Sequence, residues 1–133
     1  KIWRQLEMSY VVKFNALKVI LGAGMVALPA MAPAAVAKPP QFAQCAVCHV
    51  SAKDAKSTIG PNLFGVATRG AGKLPAYAYS PAMKAAGGKW DKKRLVAYIQ
   101  DPRATVPGNK MAYPGIKDPK VAGAVADYVL SLK

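Results

Sequence analysis

Two cysteines, a single histidine and six acidic residues are all that this 133-residue chain holds of the side chains that commonly bind metals. Each scarcity excludes something. A structural zinc site takes about four Cys or His ligands, and three in total fall short. No alternating or β-rich run flanks the cysteines, so a dithiol redox motif, which belongs at a strand-to-helix junction, has no setting here. No unbroken apolar run reaches the ~20 residues of a membrane span. Acidic residues are outnumbered by nineteen Lys and Arg, for a formal charge of +13. The lysines are nevertheless dispersed, and no recognition-helix or RNA-binding signature accompanies them, so no nucleic-acid partner is expected. A dispersed positive field suits steering toward acidic protein partners instead.

What is present is concentrated in Cys45-Ala46-Val47-Cys48-His49, which gathers both cysteines and the only histidine. On a helix, residues three and four apart share a face. Cys45, Cys48 and His49 therefore project toward one object. C-x-x-C-H reads as a haem attachment site, the two thiols adding across the haem vinyl groups and the imidazole reaching the iron.

Residues 1–37 differ in composition from the rest. Met8 is the first methionine, and residues 1–7 read as an upstream extension with no assigned role. From Val19 to Ala37 there is no charged residue. Lys13 and Lys18 precede a short apolar run to Leu28, and Ala35-Val36-Ala37 forms an A-x-A pattern. Residues 8–37 thus read as a cleavable secretory signal, with basic, apolar and small-residue parts in order. Contact with a membrane is expected only if that segment is kept as an anchor. Export implies a periplasm-like space, where free thiols would be oxidised unless joined to haem. Fifteen of the Lys and Arg and five of the Asp and Glu lie in residues 38–133, leaving that domain a charge of about +10.

Within residues 38–133 a short helix is expected from Pro40 to His49, with Phe42 packed in the core. Residues 50–89 are rich in turn formers, including Gly60-Pro61-Asn62-Leu63-Phe64-Gly65. Such a stretch buries too little apolar surface to fold alone, but wrapped around a macrocycle it gains the core that a domain this small lacks. Ser80 to Lys84 reads as a short helix with Met83 in packing. Asp91 caps a helix to Gln100, where Leu95, Tyr98 and Ile99 recur at helical spacing and Pro102 ends it. Lys92, Lys93 and Arg94 in its first turn read as a solvated charged face. Asp118-Pro119 opens a last helix whose stripe is Val121, Val125, Tyr128, Val129 and Leu132. Three main helices joined by loops, with no strand pattern, make an all-α domain.

No second histidine exists to complete an iron site. Of the mature methionines, Met83 and Met111, only Met111 lies in a polar loop, Pro107-Gly108-Asn109-Lys110-Met111, where an apolar side chain needs a reason to be. These motifs, together with Trp90 and Tyr98, stand in the order and spacing of class I c-type cytochromes. The chain resembles a small bacterial relative of mitochondrial cytochrome c over residues 40–132. The resemblance implies a small cytochrome c fold of helices and loops around one covalently attached haem c. It implies that Met111 is the second axial ligand, that the Pro61 carbonyl accepts the Nδ1 proton of His49, and that Tyr98 approaches the Met111 sulfur. Arg69, Tyr79 and Trp90 correspond to groups that hold the buried haem propionates. The chain departs from the family at Asn109, where many relatives have threonine, at Tyr113, where mitochondrial forms have phenylalanine, and in its short N-terminal helix.

His/Met ligation fills the iron and favours the ferrous state, so the expected role is a monomeric one-electron carrier and not an enzyme. Its partners would be larger redox proteins of an exported respiratory or photosynthetic chain, met through Arg103, Lys110 and Lys117, which the resemblance places on the rim of the haem edge. Two alternatives come from other classes. In one, a peroxidase or ligand sensor, Met111 leaves the iron and Lys110 can take its place, but no distal acid or base is evident. The other is the dithiol oxidoreductase set aside above.

Overall fold

A computed structural model describes residues 34–133. The extension at 1–7 and the expected signal at 8–37, except its last four residues, lie outside the described residues. Residues 34–37 are exposed and have no regular secondary structure.

Five helices occur in the described residues, and no strand. They are α1 (Phe42–Ala46), α2 (Pro81–Ala86), α3 (Lys92–Gln100), α4 (Pro102–Thr105) and α5 (Pro119–Ser131). None is long and apolar enough to cross a membrane. Their starts follow from capping chemistry, in which a side-chain oxygen takes up a backbone N–H that has no partner within the helix. Ser80 Oγ accepts from Met83 N at 3.1 Å at the start of α2, and Asp91 Oδ1 accepts from Arg94 N at 2.8 Å at the start of α3. Asp118 Oδ1 accepts from Lys120 N and Val121 N ahead of α5. Proline follows the cap of α2, α4 and α5, where its missing N–H costs nothing.

Two sequence expectations are corrected. Pro102 ends α3 as expected, but it also starts α4, because Asp101 turns its carboxylate forward and accepts from Ala104 N at 3.0 Å. The charged face at Lys92 to Arg94 is not simply solvated. Lys92 reaches Asp127 of α5 at 2.9 Å, and Arg94 turns back to the end of α2, donating to the carbonyls of Gly87, Lys89 and Ala86. Its guanidinium also lies 4.8 Å from the Trp90 ring centroid, a cation–π distance.

Helices α3 and α5 pack against each other and supply half of the buried hydrophobic core, through Leu95, Tyr98 and Ile99 on α3 and Ala122, Val125, Ala126 and Val129 on α5. Helix α1 is short, yet it is docked firmly. Phe42 is 1% exposed and meets Tyr128 edge-on, ring centroids 4.8 Å apart. Burying an aromatic side chain of that size is worth roughly 3 to 5 kcal/mol by the usual cost of its loss. These three helices form a frame, and the loops between them enclose a cavity.

Candidate functional site

The cavity begins where α1 ends. After Ala46 the chain stays coiled for one more turn, with Cys48 N and His49 N both donating to the Cys45 carbonyl, at 3.1 and 2.9 Å. That turn puts Cys45, Cys48 and His49 along one side of the cavity. Both thiols are free and half-buried. Burial pushes the Cys45 thiol up, an effect that a backbone bond partly offsets and the neighbouring Cys48 increases. His49 Nδ1 lies 2.8 Å from the Pro61 carbonyl oxygen and donates to it in the tautomer that leaves Nε2 free. Burial lowers the basicity of the imidazole, and the Pro61 bond opposes this only in part. The net effect favours a neutral ring with an available lone pair.

The loop beyond His49 is shaped to that ring. A Cβ on Gly60 would lie 2.5 Å from His49 Cε1, so only glycine lets the backbone pass the imidazole face. Gly60 N and Thr58 Oγ1 both donate to the Cys48 carbonyl at 2.7 Å. Asn62 then organises the turn. Its Nδ2 donates to the carbonyls of Ala52 and Ala55, its Oδ1 accepts from Phe64 N, and its own N–H donates to Ser57 Oγ. A single buried side chain thereby holds the segment that presents the Pro61 carbonyl.

Met111 enters from the opposite end of the sequence. Asn109 Oδ1 accepts from Met111 N at 2.7 Å, while its Nδ2 donates to the carbonyls of Pro102 and Val106 on α4. Asn109 therefore fastens the Met111 loop to the α4 segment.

All nine residues named from the sequence line this one cavity of about 260 Å³: Cys45, Cys48, His49, Pro61, Arg69, Tyr79, Trp90, Tyr98 and Met111. Its walls are otherwise mostly apolar, among them Leu63, Val66, Leu95, Ile99, Val125 and Val129. Met83, read as packing, is buried in the core and also touches the cavity. Trp90 and Tyr98 pack together with centroids 5.1 Å apart. Burial, then Tyr77 and Tyr79, push the Tyr98 phenol up to about 12, so it remains a hydrogen-bond donor at any ordinary pH. Burial likewise raises Tyr79, against the charge of Arg69. Arg69 itself donates to the carbonyls of Asn62 and Phe64, a backbone role not expected from the sequence. The bonding of Asn62 and Arg94 is likewise not evident there, although asparagine in a Gly-Pro-Asn turn signals local side-chain bonding.

No family model matches the chain. Individual relatives do. Cytochrome c2 iso-2 of Magnetospirillum fulvum is 40% identical over 94 residues, covering 71% of this chain and 97% of that protein. Cytochrome c2 iso-1 of Magnetospirillum molischianum is 43% identical over 99 residues, 73% of this chain and 98% of its own length. Cytochrome c-550 of Nitrobacter winogradskyi is 46% identical over 76 residues, 57% and 70% of the two chains. Among solved structures, cytochrome cH from Methylobacterium extorquens matches with a TM-score of 0.60 and 40% identity, covering 66% of this chain and 88% of that one.

The chain belongs to the class I c-type cytochromes. It is an electron-carrying cytochrome and not an enzyme, and its family implies a c-type haem. The residues present fit that group. Among the described residues, no three His, Cys, Asp or Glu side chains are grouped to hold a bare metal ion. One imidazole and one thioether suit instead an iron that arrives with four donors of its own, in a deep apolar cavity with two thiols at its wall.

Proposed function

We propose that this protein is a soluble, monomeric, periplasmic one-electron carrier with one haem c, joined to Cys45 and Cys48 by two thioethers and bound axially by His49 and Met111. The observation that carries the reading is that a Pro61-oriented imidazole and an Asn109-anchored methionine, 62 residues apart in sequence, reach the same apolar cavity. When bound, the haem supplies exchange between ferric and ferrous iron, with no coordination position left for a substrate.

The protein's own residues do the rest. His49 is held neutral and oriented, so no proton has to leave before it can bind. Tyr98 would offer an O–H to the sulfur of Met111, and Tyr79, Trp90 and Arg69 would offer donors to the propionates of a bound haem. The mostly apolar cavity walls would keep water from a bound haem and so limit reorganisation on electron transfer. The likeness to c-type cytochromes argues against the dithiol alternative.

Residues 8–37 act as a cleaved secretory signal in this reading, and 38–133 form the exported domain. Arg103, Lys110 and Lys117 are all exposed and serve as the basic rim that larger, acidic redox partners meet. Lys117 is already engaged with Asp101 at 3.8 Å, so Arg103 and Lys110 carry more of the attraction. Electrostatic steering of this kind raises association rates by ~10- to 10³-fold at low salt. Partner reduction rates that stay flat from low to high ionic strength would rule it out.

Ligation is tested with Met111→Ala in the holoprotein. Loss of the Met-to-iron charge-transfer absorption is expected, with a fall in midpoint potential on the order of 0.1 V, since axial ligands span ~0.8 V in haem proteins. An unchanged spectrum and potential would show that another group caps the iron.

A further inference from the structure

The loop that carries Met111 is anchored at both ends. Asn109 ties its start to α4, and Ile116 N donates to the Ile99 carbonyl of α3 at 3.0 Å, closing its far end. Between those anchors, Tyr113 Oη donates a 2.7 Å hydrogen bond to Gln44 Oε1, across 69 residues of sequence. Gln44 immediately precedes Cys45 on α1, and Tyr113 is two residues past Met111. Both line the cavity, Gln44 exposed and Tyr113 half-buried, so the bond sits at its solvent edge. Among the described residues it is the one hydrogen bond that joins this loop to α1.

The Tyr113 ring is packed against the core, as are Met111 and Cys45. The Tyr113 hydroxyl sits on a ring already fixed in place and loses little further freedom when it bonds, whereas the exposed Gln44 side chain gives up some of its own, so the net hold on the loop is that of one neutral hydrogen bond. A phenylalanine fills the same space but cannot donate.

We propose that Tyr113 and Gln44 are positioning residues for Met111: their hydrogen bond holds the loop against the cysteine-bearing helix, and so sets how often the iron face becomes open to an external ligand. This rests on the reading of Met111 as the axial ligand. An incoming ligand binds only to the open fraction, and its apparent affinity scales with that fraction.

The test uses ferric holoprotein titrated with imidazole and followed by visible absorption. Tyr113→Phe and Gln44→Ala should each bind imidazole about 3- to 10-fold more tightly, the range expected for one neutral hydrogen bond. The double variant should bind no more tightly than either single one, because both remove the same interaction. Backbone amides of residues 110–113 should exchange faster in both single variants by a similar factor. Unchanged imidazole affinity in the two single variants, or fully additive gains in the double, would overturn the proposal. Gln44 is exposed, so its replacement leaves the fold intact. Met111→Ala separates the two layers. If it binds imidazole more tightly than wild type while Tyr113→Phe does not, the latch alone fails; if it neither gains affinity nor loses the charge-transfer absorption, the ligand reading fails with it.

Discussion

His49 and Met111 reach one cavity from two segments that are held in different ways. Residues 45–64 are bound to themselves. Cys48 accepts from Gly60 and Thr58, Pro61 takes the imidazole, and Asn62 closes the turn with bonds to Ala52, Ala55 and Phe64, each of these partners lying within twelve residues, while Arg69 and Tyr77 add bonds from just beyond the segment. Residues 107–116 have almost no internal bonding and are suspended from other elements: α4 through Asn109, α3 through Ile116, and α1 through Tyr113. Even the close approach at Gly115 is to another element, since a Cβ there would lie 2.0 Å from the Gln100 carbonyl oxygen. A self-bonded segment survives small movements of its neighbours, whereas a suspended one registers each of them. The imidazole side is therefore the fixed wall and the methionine side the yielding one.

The largest effect is expected from the fixed wall. Asn62 is only 7% exposed and satisfies three backbone groups with its side chain alone. Asn62→Ala should lower holoprotein stability by roughly 2 to 4 kcal/mol, since three hydrogen bonds to part-buried backbone groups are lost together and a buried side chain is truncated. Because the turn carries the His49 orienter, the loss should be global. Thermal unfolding followed by far-ultraviolet dichroism and by haem absorption should shift downward together. Separate transitions would mean that the turn is less integral to the fold than its bonding implies.

The same contrast explains what could be read in the sequence. Cys45 to His49, the capped starts at Asp91 and Asp118, and the apolar stripe of α5 were legible because each depends on spacing over a few residues. Met111 also stood out, from its place in a polar loop, and the structure brings it to the cavity wall. Asp101 capping α4 was not evident, since Pro102 signals a helix end and a helix start equally well. Arg94 looked like one of three solvated cations, because nothing local says that the end of α2 folds back to meet it. Asn109 and Tyr113 stood out only as departures from the family pattern. Their partners, Pro102, Val106 and Gln44, are set by how the helices pack, and no periodicity encodes that.

A smaller and more selective effect should follow on the yielding wall. Asn109→Ala removes the acceptor for Met111 N and two donors to α4, but those carbonyls keep backbone partners: Val106 N at 3.0 Å for Pro102, and Asn109 N at 3.1 Å for Val106. The cost should be about 1 to 2 kcal/mol and confined to the loop. The Met-to-iron charge-transfer absorption should then fade at a lower temperature than far-ultraviolet dichroism reports unfolding, opening a gap between the two transitions that Asn62→Ala does not open. If the two curves stay superimposed in Asn109→Ala, the methionine loop melts with the rest of the domain, and the suspended bonding of that wall has no thermodynamic consequence of its own.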